Sequence, residues 1–143
     1  MIPDTIVHRK AWMRFFVAAA LFNYVIGLPI MLARTWSYNL TYVPSVTRDP
    51  MTLRLWADFG FAVLLIGCGY QIIAHDVSRN RGIVWLGVIA KFFDVINLSH
   101  LFWMGLAKRL VLFPAVIDGL FVMGFLYFLR STCEPLDGGS GEN

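Results

Sequence analysis

Long stretches in which apolar residues follow one another almost without interruption dominate the chain. Each stretch has at least the ~20 residues that an α-helix needs to cross ~30 Å of hydrocarbon. A soluble chain of 143 residues would have too little polar surface to cover them all as core helices. The pattern therefore predicts an all-α fold with four transmembrane spans, at about residues 11–33, 53–75, 82–106 and 110–129.

The composition agrees with a membrane protein. Hydrophobic residues make up 58% of the chain and charged ones 15%, whereas soluble domains average about 25% charged residues. The first span is too long for the apolar segment of a signal peptide and lacks a small-residue cleavage site. We therefore expect it to be a transmembrane helix.

The connections between the spans set the expected architecture. Residues 34–52 form the longest connection, and their Trp and Tyr side chains favour a position along the headgroup layer. Asp49-Pro50 within it predicts the start of the second span, because an N-cap residue precedes proline at the first helical position. The other connections, 76–81 and 107–109, are short. They favour an up-down-up-down four-helix bundle in which the last two spans form an antiparallel hairpin.

The ends of the chain are polar. We assign residues 1–10 to a polar N-terminal segment, 11–131 to the bundle and 132–143 to a flexible tail. Residues 138–143 read GGSGEN, a sequence typical of an added linker that runs into a protease tag, so we exclude them from the fold.

The basic residues predict the orientation. The chain carries a net charge of +3, which we attribute to anchoring at anionic headgroups rather than to a nucleic-acid partner. Six Lys and Arg residues fall on the side of the termini and five on the opposite side, so the positive-inside rule favours both termini in the cytoplasm. The two sets are Arg9, Lys10, Arg14, Arg79, Arg81 and Arg130, and Arg34, Arg48, Arg54, Lys108 and Arg109.

Polar residues from all four spans are predicted to share a depth near the middle of the membrane. At about 1.5 Å per residue, Asn23, Asp94 and Asp118 each lie about 18 Å from the side of the termini. The others lie within about one helical turn of this level. The candidate site comprises Asn23, Lys91, Asp94 and Asp118, with Asp58 and Asn97 as outer members.

Energetics indicate that the charged members of this layer face inward. An Asp or Lys at the centre of a membrane helix costs about 2.5–3.5 kcal/mol, so Lys91, Asp94 and Asp118 would together cost about 8–10 kcal/mol if they faced lipid. That is comparable to the entire stability of an ordinary domain, about 5–15 kcal/mol. We therefore predict that they converge inside the bundle and satisfy one another.

The charges do not balance. Arg54 and Asp58 are i, i+4 neighbours and are expected to pair near an interface, which leaves Lys91 for both Asp94 and Asp118. One carboxyl group is then either protonated or completed by a cation or by a donor group of a ligand. Two interpretations stay open: a site for a ligand, proton or ion, and a structural clasp that only fixes helix register.

Other chemistry is sparse in the sequence. Cys68 and Cys133 show no metal-binding spacing, and His75 and His100 fall toward opposite edges of the membrane, which disfavours a shared metal or haem. No phosphate-binding loop or nucleophile motif accompanies the Asp94/Asp118 pair. We predict no metal and no cofactor, and we rank an enzyme acting on a quinone or lipid below a non-enzymatic role.

Several short motifs recur along the spans and their connections: Phe22-Asn23 with Gly27 and Pro29, Asp49-Pro50, Gly67 and Gly69-Tyr70, Asp76 through Arg79-Asn80-Arg81-Gly82, and Lys91. In these motifs the chain resembles small bacterial four-helix membrane proteins of the DoxX-like type. The resemblance covers most of residues 11–130 and implies a four-helix bundle in the bacterial inner membrane, with some such proteins proposed as partners of redox systems. It implies no catalytic residue.

Taken alone, the sequence favours a small binding or translocation module. The midplane layer would accept a proton, a small cation or a lipid-like ligand such as a quinone. The alternative is an accessory or scaffolding subunit of a larger membrane complex, possibly redox, in which the charged layer is structural. Since a bundle this small leaves much helix surface free, we expect a homo-oligomer or a partner membrane subunit in addition to the bilayer.

Overall fold

The computed structural model of the protein describes residues 9–132, and these are helical over most of their length. Four helices within this range are long and apolar enough to cross a membrane, which confirms the four predicted spans. The helices are α1 (Arg9–Leu32), α2 (Arg34–Thr41), α3 (Pro50–His75), α4 (Arg81–Trp103) and α5 (Leu112–Ser131), and a short 3-10 turn, Arg109–Val111, leads into α5. The predicted linker at residues 138–143 lies outside the described residues.

The start of α3 is as predicted. Asp49 is the N-cap, and its side chain accepts hydrogen bonds from the Thr52 amide at 2.9 Å and from the Thr52 hydroxyl at 2.7 Å. Pro50 occupies the first helical position, where its missing N–H costs nothing. These contacts satisfy donors that a helix start would otherwise leave without partners.

The predicted connection at residues 34–52 contains a helix in its first half. Residues Arg34–Thr41 form the helix α2, with Ser37 and Tyr38 buried. Trp56 of α3 donates a hydrogen bond from its indole nitrogen to the Ser37 hydroxyl at 3.0 Å. The Tyr38 hydroxyl donates to the Thr47 carbonyl at 2.9 Å. Tertiary contacts of this kind stabilise a helix too short to form by itself.

The end of the third span also differs from the prediction. Helix α4 ends at Trp103 rather than at residue 106. Gly105 has a positive φ of 69°, and the amides of Gly105 and Leu106 donate to the carbonyls of Phe102 and Leu101 at 3.0 Å each. This is the hydrogen-bond pattern of a glycine-terminated helix. The connection to α5 is therefore longer than the predicted residues 107–109.

Helices α1 and α3 are in close backbone contact. A Cβ atom added at Gly60 would lie 2.7 Å from the Met31 amide nitrogen, and one at Gly27 would lie 2.9 Å from the Gly60 carbonyl oxygen. Only glycine fits at such an approach, which is a common basis of helix association in membranes.

Helices α4 and α5 form a second pair, which is tied together at its end by Arg81. The Arg81 guanidinium donates to the Leu129 carbonyl at 2.7 Å and to the Thr132 carbonyl and hydroxyl at 2.6 and 2.7 Å. These carbonyls lie at the C-terminal end of α5, where helical carbonyls lack intrahelical partners. The contact therefore satisfies the helix end while joining the two helices.

Aromatic rings fill the space between the two helix pairs over half of its length. The rings of Phe16 and Phe125 stack at 5.6 Å with an interplanar angle of 7°, and Phe128 contacts both Phe16 and Trp12 edge-on, at 5.1 and 5.0 Å. We call this set the aromatic seam. Its members are Trp12, Phe15, Phe16 and Phe22 of α1 with Phe121, Phe125 and Phe128 of α5.

Candidate binding site

Lys91 lies at the centre of the polar contacts in the bundle. Its side chain forms an ion pair with Asp118 of α5 and donates a hydrogen bond to the side-chain oxygen of Asn23 of α1 at 3.0 Å. The three residues are only 3%, 5% and 4% exposed, respectively. Polar groups from three helices thus converge in the interior of the bundle, and of the three charged residues predicted to do so, Lys91 and Asp118 meet there. We call these residues the polar cluster.

The amide of Asn23 is used at both ends. While its oxygen accepts from Lys91, its nitrogen donates to the Val63 carbonyl of α3 at 3.1 Å. Gly67, one turn further along α3, allows this approach, because a Cβ added there would lie 3.1 Å from the Asn23 Cβ. Asn23 therefore joins the close pair α1–α3 to the polar cluster.

Three aromatic rings enclose the Lys91 ammonium. The ring centroids of Phe121, Phe22 and Tyr70 lie 5.2, 5.3 and 5.8 Å from Nζ, within the range of cation–π attraction. Tyr70 is fully buried, and its hydroxyl has no hydrogen-bond partner among residues 9–132. Its ring fits because position 87 is glycine, where a Cβ would lie 2.6 Å from the Tyr70 ring.

Asp94 is half-buried and is not part of the polar cluster. Its carboxyl group makes no hydrogen bond or ion pair with any residue in the described range. Lys91, three residues earlier on α4, is instead directed to Asp118 and Asn23. Of the two aspartates predicted to share the lysine, the structure thus pairs Asp118 and leaves Asp94 beside a cavity.

The outer members of the predicted set do not reach the polar cluster. Asn97 is exposed on α4. It follows the buried Lys91 by six residues, and at about 100° per residue its side chain lies about 120° away from Lys91 around the helix. Asp58 is exposed on α3, where it accepts a hydrogen bond from Arg54 at 3.1 Å. The predicted Arg54–Asp58 pair is therefore present.

A cavity of about 280 Å³ adjoins Asn23 and Asp94. It begins where the aromatic seam ends, at Phe22, and extends between α1 and α5 toward α2. Its wall is mainly apolar, with contributions from Ile26, Pro29, Phe59, Val63, Leu98 and Pro114. An apolar cavity with few convergent polar groups is the usual form of a small-molecule site.

Helix α2 and the connection after α4 form the roof of this cavity. Leu40 and Thr41 line it, and the following residues pair with the connection through an isolated antiparallel bridge between Tyr42 and Ala107. The Val43 amide donates to the Leu106 carbonyl at 3.0 Å, and the Lys108 amide donates to the Thr41 carbonyl at 2.8 Å. The roof thus links the α1–α3 pair to the α4–α5 pair.

Neither the cavity nor the rings around Lys91 were predicted from the sequence. Tyr70 was named only as part of a motif, and no role was predicted for Trp56. A signal for Tyr70 exists in Gly69 and Gly87, which mark close packing between the second and third spans, but glycine alone does not say which side chain fills the space. No protein-family model matches the chain, and no solved structure matches its fold.

Proposed function

We propose that this chain is a binding or translocation module whose cavity receives a lipid-like ligand with a polar head. The observation that carries the proposal is the position of Asp94. Its carboxyl group lines an apolar cavity without a partner in residues 9–132, and an ionisable group at membrane depth is expensive unless function requires it. A ligand that contacts Asp94 would remove this cost.

The cavity favours a lipid-like ligand over a bare ion. A dehydrated Ca²⁺ takes about six to eight oxygen ligands, whereas the polar lining consists of Asp94, Asn23, Ser37 and Thr41, with Asn23 already bonded at both ends. Apolar side chains make up the remainder of the lining. This composition is suited to an apolar chain that ends in a small polar head.

The polar cluster would serve as the rigid floor of this site. Because Lys91 is bonded to Asp118 and Asn23 and enclosed by rings, it holds α1, α4 and α5 at fixed positions beside Asp94. A binding group positioned by fully satisfied neighbours loses little freedom when a ligand arrives. The structural interpretation of the cluster and the binding interpretation of Asp94 are thus compatible.

The same proposal includes an arrangement in the membrane. Within each helix pair, residues later in one helix contact residues earlier in the other, which favours an up-down-up-down order of the spans. The contacts are Gly27 with Gly60, Tyr24 with Gln71, Lys91 with Asp118, and Arg81 with Leu129. We place the protein in a bacterial inner membrane with both termini in the cytoplasm, in keeping with the count of basic residues and the DoxX-like resemblance.

The test is to identify what co-purifies with the protein. Wild type and Asp94→Asn would be extracted into lipid nanodiscs and released for native mass spectrometry, with Leu98→Trp as a cavity-filling variant. We expect an adduct on the wild type that is lost in both variants. Asp76→Asn, which removes the same charge at the end of α3, is the matched control and should retain it. An adduct that survives in Leu98→Trp would rule out the cavity as its site.

A second candidate function is that of an accessory subunit in a larger complex. It is favoured by polar side chains on the outer surface of the spans, namely Asn97 and the Arg54–Asp58 pair, because such groups are costly against lipid. A homo-oligomer or a partner subunit would cover them. Mass photometry of gently solubilised protein tests this: a monomer in both wild type and Asn97→Leu would contradict it.

A further inference from the structure

We infer that the ligand is a single-chain amphiphile with a primary ammonium head, held by Asp94 at the floor of the cavity. The inference rests on the proposed function and specifies the class of ligand. Three features of the molecule support it: the sum of charges around the floor, the inaccessibility of Lys91, and the shape and lining of the cavity.

With Asp94 ionised, the charge around the floor is incomplete by one positive group. Lys91 is paired with Asp118, so that the two cancel, and the Asp94 carboxylate then has no cation among the described residues. In an environment that water does not reach freely, an uncompensated charge costs several kcal/mol. A cationic head beside Asp94 would bring the sum to zero, and an ammonium carries three hydrogen-bond donors for the carboxylate oxygens.

An anionic head has no cation to meet. The Lys91 ammonium is the nearest candidate, but the side chain is 3% exposed, and the Phe22 and Phe121 rings lie over it at 5.3 and 5.2 Å. A carboxylate or phosphate in the cavity would therefore meet Asp94 without reaching Lys91. Like charges this close are strongly unfavourable in a medium of low dielectric, which excludes fatty acids and phospholipid phosphates as heads.

The cavity provides room for one chain and an outlet for it. Its lining includes Val25 and Phe113, which are 68% and 63% exposed, so we take these two residues as a rim of the cavity. These rim residues belong to membrane-spanning helices, so the cavity opens sideways toward the acyl chains. Its volume of about 280 Å³ lies at the lower end of the ~300–1,000 Å³ of typical ligand sites, which favours a single chain that continues into the bilayer.

Three probes of equal chain length test the head group: dodecylamine, dodecanol and dodecanoate. Each would be titrated into phosphatidylcholine nanodiscs that contain the protein, with binding followed by native mass spectrometry and by the shift of the melting temperature. We expect dodecylamine to bind at least about tenfold more tightly than dodecanol, because the extra free energy of a hydrogen bond to a charged group corresponds to about tenfold in affinity. Dodecanoate should bind most weakly.

Variants then assign this preference to Asp94. In Asp94→Asn the advantage of dodecylamine over dodecanol should disappear, whereas Asp94→Glu and the control Asp76→Asn should retain it. The comparison of the three probes on the wild type needs no variant and stands even if a substitution prevents folding.

The outcomes separate this inference from the proposal beneath it. Equal binding of amine and alcohol, lost in the cavity-filling Leu98→Trp, would overturn the ammonium head and leave the cavity as a lipid site. Preference for dodecanoate would overturn the head group in the same way. If no probe binds and Leu98→Trp changes nothing, the binding function itself fails.

Discussion

At the scale of single residues, Lys91 is the group whose loss should be felt most. Removal of one partner of a buried ion pair costs about 3–5 kcal/mol, because the other charge remains buried without compensation. Asp118 is 5% exposed, so Lys91→Met should lower the free energy of unfolding by about that amount. Unfolding by SDS in mixed micelles measures it.

The double variant Lys91→Met/Asp118→Leu provides the control for this prediction. Replacement of both partners removes the uncompensated charge, so most of the lost stability should return. If the double variant is no more stable than Lys91→Met, the ion pair is not the reason for the loss.

Asp49 gives a prediction with a pH dependence. Hydrogen bonds from the Thr52 amide and hydroxyl lower the pKa of the Asp49 carboxyl below its ordinary value of 3.8. Since the folded-state pKa is the lower one, the carboxylate stabilises the start of α3 above about pH 4 and loses this effect as the pH falls through the lowered value. Protection of the Thr52 amide from hydrogen exchange, relative to its intrinsic rate, should fall in that window.

Asp49→Asn separates capping from charge in this measurement. Asparagine also caps helices but does not titrate, so Thr52 should remain protected across the same pH range. A parallel loss of protection in Asp49→Asn would mean that another group is responsible.

The residues of the site were predictable to different degrees. Depth along each span follows from residue counts, so the level shared by Asn23 and Asp118, with Lys91 within about one helical turn of it, could be found from the sequence. The choice of Asp118 over Asp94 as the partner of Lys91 could not, because it depends on how α5 is rotated against α4. That rotation is set by side-chain packing between the helices, which no single span encodes.

At the scale of elements, glycine positions determine how closely helices approach. A Cβ at Gly60 would lie 2.7 Å from backbone and side-chain atoms of α1, whereas one at Gly119 in α5 would meet nothing within 4 Å. Gly60→Ala should therefore destabilise by about 1–3 kcal/mol through overpacking. Gly119→Ala should be neutral or stabilising, because alanine is the better helix former by about 1 kcal/mol. The two melting temperatures, measured in the same detergent, check this, and equal effects would contradict it.

The predictability of elements followed their length. Apolar runs of 20 residues or more identify α1, α3, α4 and α5, since few structures other than membrane spans satisfy them. Helix α2 has eight residues and depends on contacts such as Trp56 with Ser37, so its own sequence carries little signal. The end of α4 could have been predicted from Gly105, because glycine commonly follows the last turn of a helix. The predicted span ran on to residue 106 because the hydrophobic run continues to Leu106.

At the scale of the whole molecule, the cavity arises where the filling of the aromatic seam stops. Each helix pair is joined by close contacts. Glycine residues allow the close approach of α1 and α3, and the Lys91–Asp118 ion pair together with Arg81 joins α4 to α5. Between the pairs, large rings fill the space up to Phe22 and Phe121. Beyond them, the side chains of α1, α4 and α5 leave a gap beneath α2. A gap of this kind is a property of the assembled helices, and hydropathy does not predict it.

The roof is a further link between the two pairs, besides the aromatic seam and the Lys91–Asn23 hydrogen bond, and this gives a prediction about the whole molecule. Tyr42 and Ala107 form a bridge whose hydrogen bonds join their neighbours rather than the two residues themselves, an arrangement in which facing Cα atoms lie about 4.5 Å apart. This distance is compatible with a disulfide. Tyr42→Cys/Ala107→Cys, in a background without Cys68 and Cys133, should therefore crosslink on oxidation.

The oxidised form should then differ from the reduced form in two ways. Closure of a loop of this size raises stability by on the order of 4 kcal/mol in the chain-entropy model, which a higher melting temperature would report. If ligands enter sideways between Val25 and Phe113, a fixed roof should leave probe association rates unchanged. Association that slows strongly on oxidation would instead indicate access through the roof, and the lateral opening would then not be the route.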